Sequence, residues 1–144
     1  MGTTGTYIDE VECLYEEVKQ AIRQKVARQA TLQNIIVSDQ TLAKARYLGD
    51  NERGAMLSMR RIHRLKFQQA KVAKSCADLM QMRVQLEIAM MAENKEEAYA
   101  NLDLSDLHDT LEQAVDMVED ADHVMPTAQA LHKLMLELNG MLEI

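Results

Sequence analysis

Hydrophobic residues recur at intervals of three and four positions through the first third of the chain. No proline or glycine interrupts the pattern between Tyr7 and Leu48. This spacing places the apolar residues on one face of a helix, which we predict to be about 60 Å long at ~1.5 Å per residue. The predicted buried positions are Val11, Leu14, Tyr15, Val18, Ala21, Ile22, Val26, Ala30, Leu32, Gln33, Ile36 and Leu48.

A tight turn is predicted directly after this helix. Gly49 stands where a helix end favours positive φ, and Asp50 and Asn51 are good N-caps for a following helix. A second apolar series with near-heptad spacing then runs to about Ala92. Because so short a link brings two long helices side by side, we predict a long antiparallel two-helix hairpin over about residues 7–93. The second series comprises Met56, Met59, Ile62, Leu65, Val72, Ala73, Cys76, Leu79, Met80, Leu86, Ala89 and Met90.

Shorter helices are predicted in the C-terminal third. One covers roughly residues 95–101, and the next begins after a cap at Asp103 or Ser105. These acidic helices are expected to continue to about residue 125. Pro126 then fits the first turn of a last helix. The apolar face of the acidic helix would comprise Leu104, Leu107, Leu111, Val115 and Val118, and that of the last helix Ala130, Leu131, Leu134, Met135, Leu138, Met141 and Leu142.

Composition favours the same fold class. Aromatic residues make up 3% of the 144, there is one proline, and helix-forming residues dominate. We therefore predict an all-α protein with shorter C-terminal helices packed on the hairpin or extending from it. The expected divisions are a flexible N-terminus at 1–6, a helical core at 7–125 with its acidic helices at 95–125, and a C-terminal helix at 126–144.

The net charge of −7 conceals a strong asymmetry along the chain. Residues 18–86 contain 14 Lys and Arg against 4 Asp and Glu, whereas residues 87–144 contain 2 against 14. The first 17 residues add five acids and no base. Such a division suggests an acidic segment that folds onto a basic one, or a basic face that meets an anionic surface.

An anionic membrane is the partner that the basic region suits best. Each Lys or Arg near an anionic leaflet contributes about 1 kcal/mol, so several together bind usefully. Nucleic acid is disfavoured because only Tyr47 and Phe67 are interleaved with the cations, which leaves too few platforms for base stacking, and a nucleic-acid binder stays a second rival. The predicted membrane-binding residues are Lys19, Arg23, Lys25, Arg28, Arg60, Arg61, Arg64, Lys66, Lys71 and Lys74.

Two further features bear on membrane binding. The start of the chain fits the M-G-x-x-x-[ST] pattern, which makes Gly2 a candidate for myristoylation, although so short a pattern also matches by chance. The acidic region would act as an autoinhibitory segment that competes with the membrane for the cations. Its residues are Asp103, Asp106, Asp109, Glu112, Asp116, Glu119, Asp120 and Asp122.

The sequence gives no sign of enzyme chemistry. Its four histidines show neither HxxxH nor HExxH spacing, and Gly49 and Gly54 do not form a phosphate-binding loop. Cys13 and Cys76 have no metal-ligand spacing and are expected to be reduced thiols. No apolar run approaches ~18 residues, and the N-terminus lacks the features of a secretory signal. We expect a cytoplasmic protein without enzymatic activity, metal or cofactor.

The turn and the residues after it resemble the ESCRT-III family of charged multivesicular body proteins. GDNERGAMLSMRRIHRLK matches the family pattern of residue classes at Gly49, Asn51, Arg53, Ala55, Met59, Arg60, Arg61, Arg64 and Lys66. LSDLHDTLEQAVDMVEDAD, residues 104–122, resembles the acidic stretch of the family's fourth helix. The likeness spans roughly residues 10–125.

This resemblance implies a membrane-remodelling subunit that polymerises with itself and with other ESCRT-III-like subunits, peripherally on endosomal or other membranes. Recruitment of an AAA ATPase would also be implied, but LHKLMLELNGMLEI lacks the expected Leu-x-x-Arg-Leu-x-x-Leu spacing. The alternative is a helical coiled-coil adaptor or scaffold without membrane activity.

Overall fold

The computed structural model describes residues 3–142, and their side chains from residue 8 to residue 140. Gly2, the candidate lipidation site, lies outside the described residues. The described chain is all-helical, with α1 at Thr3–Leu48, α2 at Glu52–Met90, α3 at Lys95–Ala100, α4 at Leu104–Val115 and α5 at Ala128–Leu142. The two long helices pack against each other. The predicted helical class is thus confirmed, and α1 begins four residues before the predicted start at Tyr7.

The chain divides into two compact units. The first, which we call the apolar unit, contains residues 1–27 and 73–118. The second, which we call the polar unit, contains residues 28–72 and 119–144. Each of the two long helices contributes residues to both units.

The apolar unit is built on one continuous hydrophobic cluster. Tyr99 of α3 is fully buried there, and Ser75 of α2 donates a hydrogen bond to the carbonyl oxygen of Ala114 of α4 at 3.3 Å. Since α3 and α4 are too short to be stable alone, this burial is what keeps them helical. The buried members are Val11, Leu14, Val18, Ala21, Ile22, Cys76, Leu79, Met82, Leu86, Ala89, Tyr99, Leu107, Leu111 and Ala114.

The polar unit buries a narrower set of apolar residues. From α5, Leu134 and Leu138 are buried, and beside them lies a small cavity lined by Ala43, Met59 and Ile62. Val26, Ala30, Gln33 and Leu48 were predicted to be buried and are exposed, because the buried side of α1 moves to Leu32, Ile36, Asp39 and Ala43 as the heptad step continues. Ala73 and Met80 of α2 are exposed in the same way.

The first helix ends at Leu48 as predicted, but the left-handed residue of the link lies one position later than predicted. Asp50, not Gly49, adopts the left-handed conformation, with φ 60°. The Asn51 amide bonds the carbonyl of Arg46 at 2.8 Å and the Asp50 amide bonds that of Tyr47 at 3.2 Å, which is the pattern of a Schellman motif. The Asn51 side chain then caps α2 by accepting from the Gly54 amide at 2.9 Å.

The acidic region is less helical than predicted. α4 is capped by Asp103 as expected but ends at Val115, so the expected helix to about residue 125 is wrong. The Asp120 carboxylate accepts from the Asp122 amide at 2.9 Å, and this local turn competes with helix formation. The buried face of α4 includes Ala114 in place of Val115, and Val118 is 70% exposed.

The last helix begins two residues after Pro126. Thr127 acts as its cap, because the Ala130 amide donates to Thr127 Oγ1 at 3.1 Å. Pro126 therefore precedes α5 and does not occupy its first turn, in contrast to the prediction. Residues 116–127 form a connector of turns and extended backbone between α4 and α5.

Candidate functional site

The ten predicted membrane-binding cations fall in both units. Lys19, Arg23, Lys25 and Lys74 belong to the apolar unit, and Arg28, Arg60, Arg61, Arg64, Lys66 and Lys71 to the polar unit. In the apolar unit the contacts are local. Lys19 lies 3.2 Å from Glu16 on the next turn, with its ammonium 4.9 Å from the centre of the Tyr15 ring, and Arg23 bonds Gln20 at 3.3 Å. Such exposed contacts contribute little to stability.

In the polar unit, two predicted cations pair with acids from the C-terminal part of the chain. Arg28 Nε and Nη2 each lie 2.8 Å from Glu119 Oε2. Lys66 Nζ lies 3.1 Å from Glu137 Oε2. The side chains of both pairs are partly exposed, between 25% and 40%. Water and salt therefore reach both pairs.

A third predicted cation contacts a buried acid that the sequence analysis missed. Asp39 is 6% exposed, and Arg61 Nε lies 3.1 Å from Asp39 Oδ2, although that oxygen receives no well-directed hydrogen bond from the described residues. The Arg61 side chain is itself 60% exposed. Asp39 follows Leu32 by seven residues, so the heptad step was the signal that could have revealed it.

The polar unit also carries polar contacts between α1 and α2. Arg46 Nη1 bonds Ser58 Oγ at 2.9 Å and the carbonyl oxygen of Gly54 at 3.1 Å. Gln69 donates to Gln33 at 2.8 Å. Because these polar contacts join specific positions of the two helices, they favour one register of α1 against α2.

The predicted acidic segment is divided between the units. Asp103, Asp106, Asp109, Glu112 and Asp116 lie in the apolar unit, where Asp103 and Asp116 form the two ends of α4. Glu119, Asp120 and Asp122 lie in the polar unit. Of the eight predicted acids, the structure brings Glu119 onto a predicted cation, and Glu137 joins it although the sequence analysis did not select it. The one feature of the sequence that marks Glu137 is that it is a single acid in the mostly apolar stretch LMLELNG.

Phe67 is the chain's one phenylalanine, and it lies among the cations of α2. Lys71 Nζ is 5.0 Å from the centre of its ring. His123, from the connector, meets the same ring edge to face, with centroids 6.5 Å apart. The side of Phe67 that remains open leaves the residue 38% exposed.

Two tyrosines in the apolar unit have perturbed ionisation. The Tyr15 hydroxyl donates to Glu87 at 2.8 Å, and this bond, with desolvation and the charge of Glu87, raises the pKa of Tyr15. Burial, helped by the charge of Glu12, raises the pKa of Tyr99. Both tyrosines therefore stay neutral to higher pH than an exposed tyrosine.

Within residues 3–142 no cluster of three metal-ligating side chains occurs, and no helix of that range is long and apolar enough to cross a bilayer. Comparison of the chain with family models, curated proteins and solved structures finds no match.

Proposed function

We propose that this chain is a non-enzymatic membrane-remodelling subunit that polymerises on anionic membranes, as ESCRT-III proteins do, and that its acidic C-terminal residues restrain it. The observation behind the proposal is that Arg28 and Lys66 both form ion pairs. Both were predicted to bind a membrane, and both are paired with acids from the C-terminal part of the chain, Glu119 and Glu137.

The restraint is reversible because the energy of an exposed ion pair is no greater than that of a cation bound to an anionic leaflet. A partly exposed ion pair contributes about 0.2–1 kcal/mol, because solvent screens the charges and two long side chains lose freedom. An anionic leaflet offers about 1 kcal/mol for each Lys or Arg near its surface. A bilayer can therefore displace Glu119 and Glu137, whereas buried ion pairs would not exchange so readily.

The scaffold in this proposal is an antiparallel hairpin of α1 and α2. Its support comes from contacts within the polar unit, where the residue number rises along α1 as that of the partner on α2 falls. These contacts are Gln33 with Gln69, Asp39 with Arg61, and Arg46 with Ser58.

One observation favours the alternative function of a helical adaptor without membrane activity. In the apolar unit, Met80, Val84 and Ile88 of α2 and Met91 just after its end follow one another at steps of four and three residues and are 39–84% exposed. Such a series suits the groove or helix of a protein partner. An adaptor would form a small oligomer of fixed size and would not bind vesicles.

Co-sedimentation of the full chain with vesicles tests the proposed function. The double variant Glu119→Gln with Glu137→Gln should bind phosphatidylserine vesicles about fivefold more tightly than the wild type, because two competing carboxylates are removed. The matched control is Glu93→Gln with Glu96→Gln, which changes the net charge equally at exposed acids outside the pairs.

Electron microscopy of the pelleted protein should show filaments on the vesicles. Equal affinities for the two double variants would contradict the restraint by the acids. A wild-type chain that ignores anionic vesicles and keeps one small oligomeric size would favour the adaptor.

A further inference from the structure

A continuous apolar face of α2 stays exposed to solvent in the apolar unit. The positions are 73, 77, 80, 84, 88 and 91, separated by steps of four and three residues. At 100° per residue they fall within a sector of about 80°. The buried side of the same helix, which includes Leu79, Met82 and Leu86, points the opposite way. We call this exposed face the apolar stripe; its members are Ala73, Ala77, Met80, Val84 and Ile88 of α2 and Met91 just after its end.

A groove beside the apolar stripe gives this face depth. It has a volume of about 380 Å³ and lies between the end of α2 and the segment that contains α3. A cavity of about 150 Å³ accepts a benzene ring, so the groove has room for at least one large apolar side chain. Small side chains leave this space open. We call it the α3 groove; its lining includes Ile88, Ala89, Ala92, Ala98, Leu102 and Asp103.

The unit that carries the apolar stripe is strongly acidic. It contains 15 Asp and Glu against 6 Lys and Arg, a net charge of −9. Asp103 lines the α3 groove, and the exposed acids Glu93 and Glu97 are chain neighbours of Ala92 and Ala98, which line it too. Among the side chains of residues 8–140, none forms an ion pair with these three acids. A cationic partner is therefore favoured at this surface.

We infer that the apolar stripe and the α3 groove together bind a basic amphipathic helix of another protein. Such a helix presents apolar side chains at steps of three and four residues, and its lysine or arginine residues meet the unpaired acids. The stripe spans 18 residues, or about 27 Å, which matches about five turns of a partner helix. Met80 and Met91 adapt to partner side chains of different shape.

This inference goes beyond the proposed function and does not require it. None of the predicted membrane-binding cations belongs to the apolar stripe or to the lining of the α3 groove. The chain can therefore bind a basic helix here whether or not its cations bind a bilayer.

Other occupants fit this surface less well. An anionic bilayer or a nucleic acid is repelled by a unit with a net charge of −9, and so is the same face of a second copy. The basic part of α2 from a second copy has the right charge, and its exposed large apolar residues are Leu57 and Phe67. These are ten residues or about 15 Å apart, whereas the part of α2 that lines the groove, from Gln85 to Ala92, is about 10 Å long. Both residues cannot enter the groove together.

A designed peptide tests the apolar part of the surface. The probe is a fluorescein-labelled helix of lysine and alanine in which leucine recurs at steps of three and four residues, and fluorescence anisotropy measures its binding to the full chain. Ile88→Ser with Met91→Ser should weaken binding about tenfold, because two contacts at the centre of the interface are lost. The control Val37→Ser with Leu136→Ser removes similarly exposed apolar side chains from the polar unit and should change binding less than about twofold.

Charge substitutions test the acids. Glu93→Gln with Glu97→Gln should weaken binding of the same peptide about threefold or more at low salt, and the difference should disappear in about 1 M NaCl. The control Glu52→Gln with Asp122→Asn changes the net charge equally at exposed acids of the polar unit and should leave the affinity unchanged. A peptide with glutamate in place of every lysine should not bind.

Nuclear magnetic resonance locates the bound peptide. On addition of the basic peptide, the amide signals of Ala89, Ala92 and Ala98 should shift, because these residues line the α3 groove. The amide signals of Ala55 and Leu65, in the part of α2 that belongs to the polar unit, should not shift. Shifts confined to the polar unit would overturn the inference.

The outcomes separate this inference from the proposed function. A wild type that does not bind the basic peptide, or that binds it as tightly as Ile88→Ser with Met91→Ser does, overturns the inference. Self-association of the wild type that this variant loses in sedimentation velocity would assign the stripe to a second copy, and loss of binding to phosphatidylserine vesicles would assign it to a bilayer. A wild type that binds the peptide but not the vesicles supports the inference and refutes the proposed function.

Discussion

The same two long helices contribute to both units, but the contacts inside each unit are of a different chemical kind. The apolar unit surrounds Tyr99 with a continuous cluster of aliphatic side chains. The polar unit places Asp39, Arg46 and Ser58 between its helices and attaches C-terminal residues through exposed ion pairs. Hydrophobic burial depends little on salt, whereas exposed ion pairs are screened by it. The difference teaches that the C-terminal attachment in the polar unit should respond to salt, whereas the apolar cluster should not.

The largest expected effect comes from opening the apolar cluster. Tyr99→Ala should lower the free energy of unfolding by about 4 kcal/mol, because it removes a fully buried ring from the core. Urea unfolding followed by circular dichroism measures the loss. Met91→Ala, at a side chain that is 84% exposed, is the control and should change stability by less than about 0.5 kcal/mol. Similar losses for the two variants would remove the distinction between core and surface.

Replacing one ion pair of the polar unit by apolar side chains should give the next largest effect. Asp39→Leu with Arg61→Leu should raise the free energy of unfolding by about 1–2 kcal/mol, since it replaces a buried carboxylate, whose partner Arg61 is 60% exposed, by an apolar side chain at a buried position. The same urea experiment measures it. Asp39→Ala alone should not stabilise, because it removes the acid without supplying apolar contact. A marked destabilisation by the double leucine variant would show that the ion pair contributes more to the free energy of unfolding than the apolar contacts of the two leucines.

Loosening the C-terminal attachment should cost less. A double-mutant cycle with Arg28→Ala and Glu119→Ala should give a coupling energy of about 0.5–1 kcal/mol at low salt. The coupling should shrink toward zero in about 1 M NaCl, where charges are screened beyond ~3 Å. A coupling that is unchanged by salt would contradict the exposed character of this pair.

The smallest effect should appear only at alkaline pH. Burial raises the pKa of Tyr99, so the folded chain keeps the phenol neutral where the unfolded chain begins to ionise. The stabilisation is therefore complete below the ordinary tyrosine pKa of about 10 and is lost as pH rises through the higher folded value. Tyr99→Phe should flatten this part of the stability curve measured between about pH 9 and pH 11. An identical alkaline decline in both proteins would assign it to other groups, such as Tyr15.

The two long helices could be predicted well from the sequence, whereas the local ends of the shorter helices could not. The uninterrupted pattern up to Leu48 and the break at Glu93–Lys95 located α1 and α2 within a few residues of their observed ends, because a helix of this length is determined by many side chains at once. The end of α4 at Val115 was missed, since local contacts in the residues that follow it, such as the turn at Asp120, leave no periodic pattern. Periodicity cannot register such local competition.

The candidate site could be predicted only in part. Charge counting selected Arg28, Lys66 and Glu119 but not Glu137, the partner of Lys66, because nothing in the sequence links an acid to a cation 71 residues away. Asp39 was overlooked because acids are rarely buried without a partner, and its partner Arg61 was assigned to the membrane. Membrane binding itself remains a prediction.

The Schellman turn at Asp50 has a consequence for the order in which the chain folds. Arg46 and Ser58, beside the turn, are 12 residues apart, whereas Tyr15 and Glu87 are 72 apart. The chain entropy lost on closing the longer loop is greater by about 1.6 kcal/mol. We therefore expect contacts between α1 and α2 to form first at the turn and to spread outward. Proteins rich in such short-range contacts fold quickly, so the polar contacts at the turn would set the register before the larger apolar core closes.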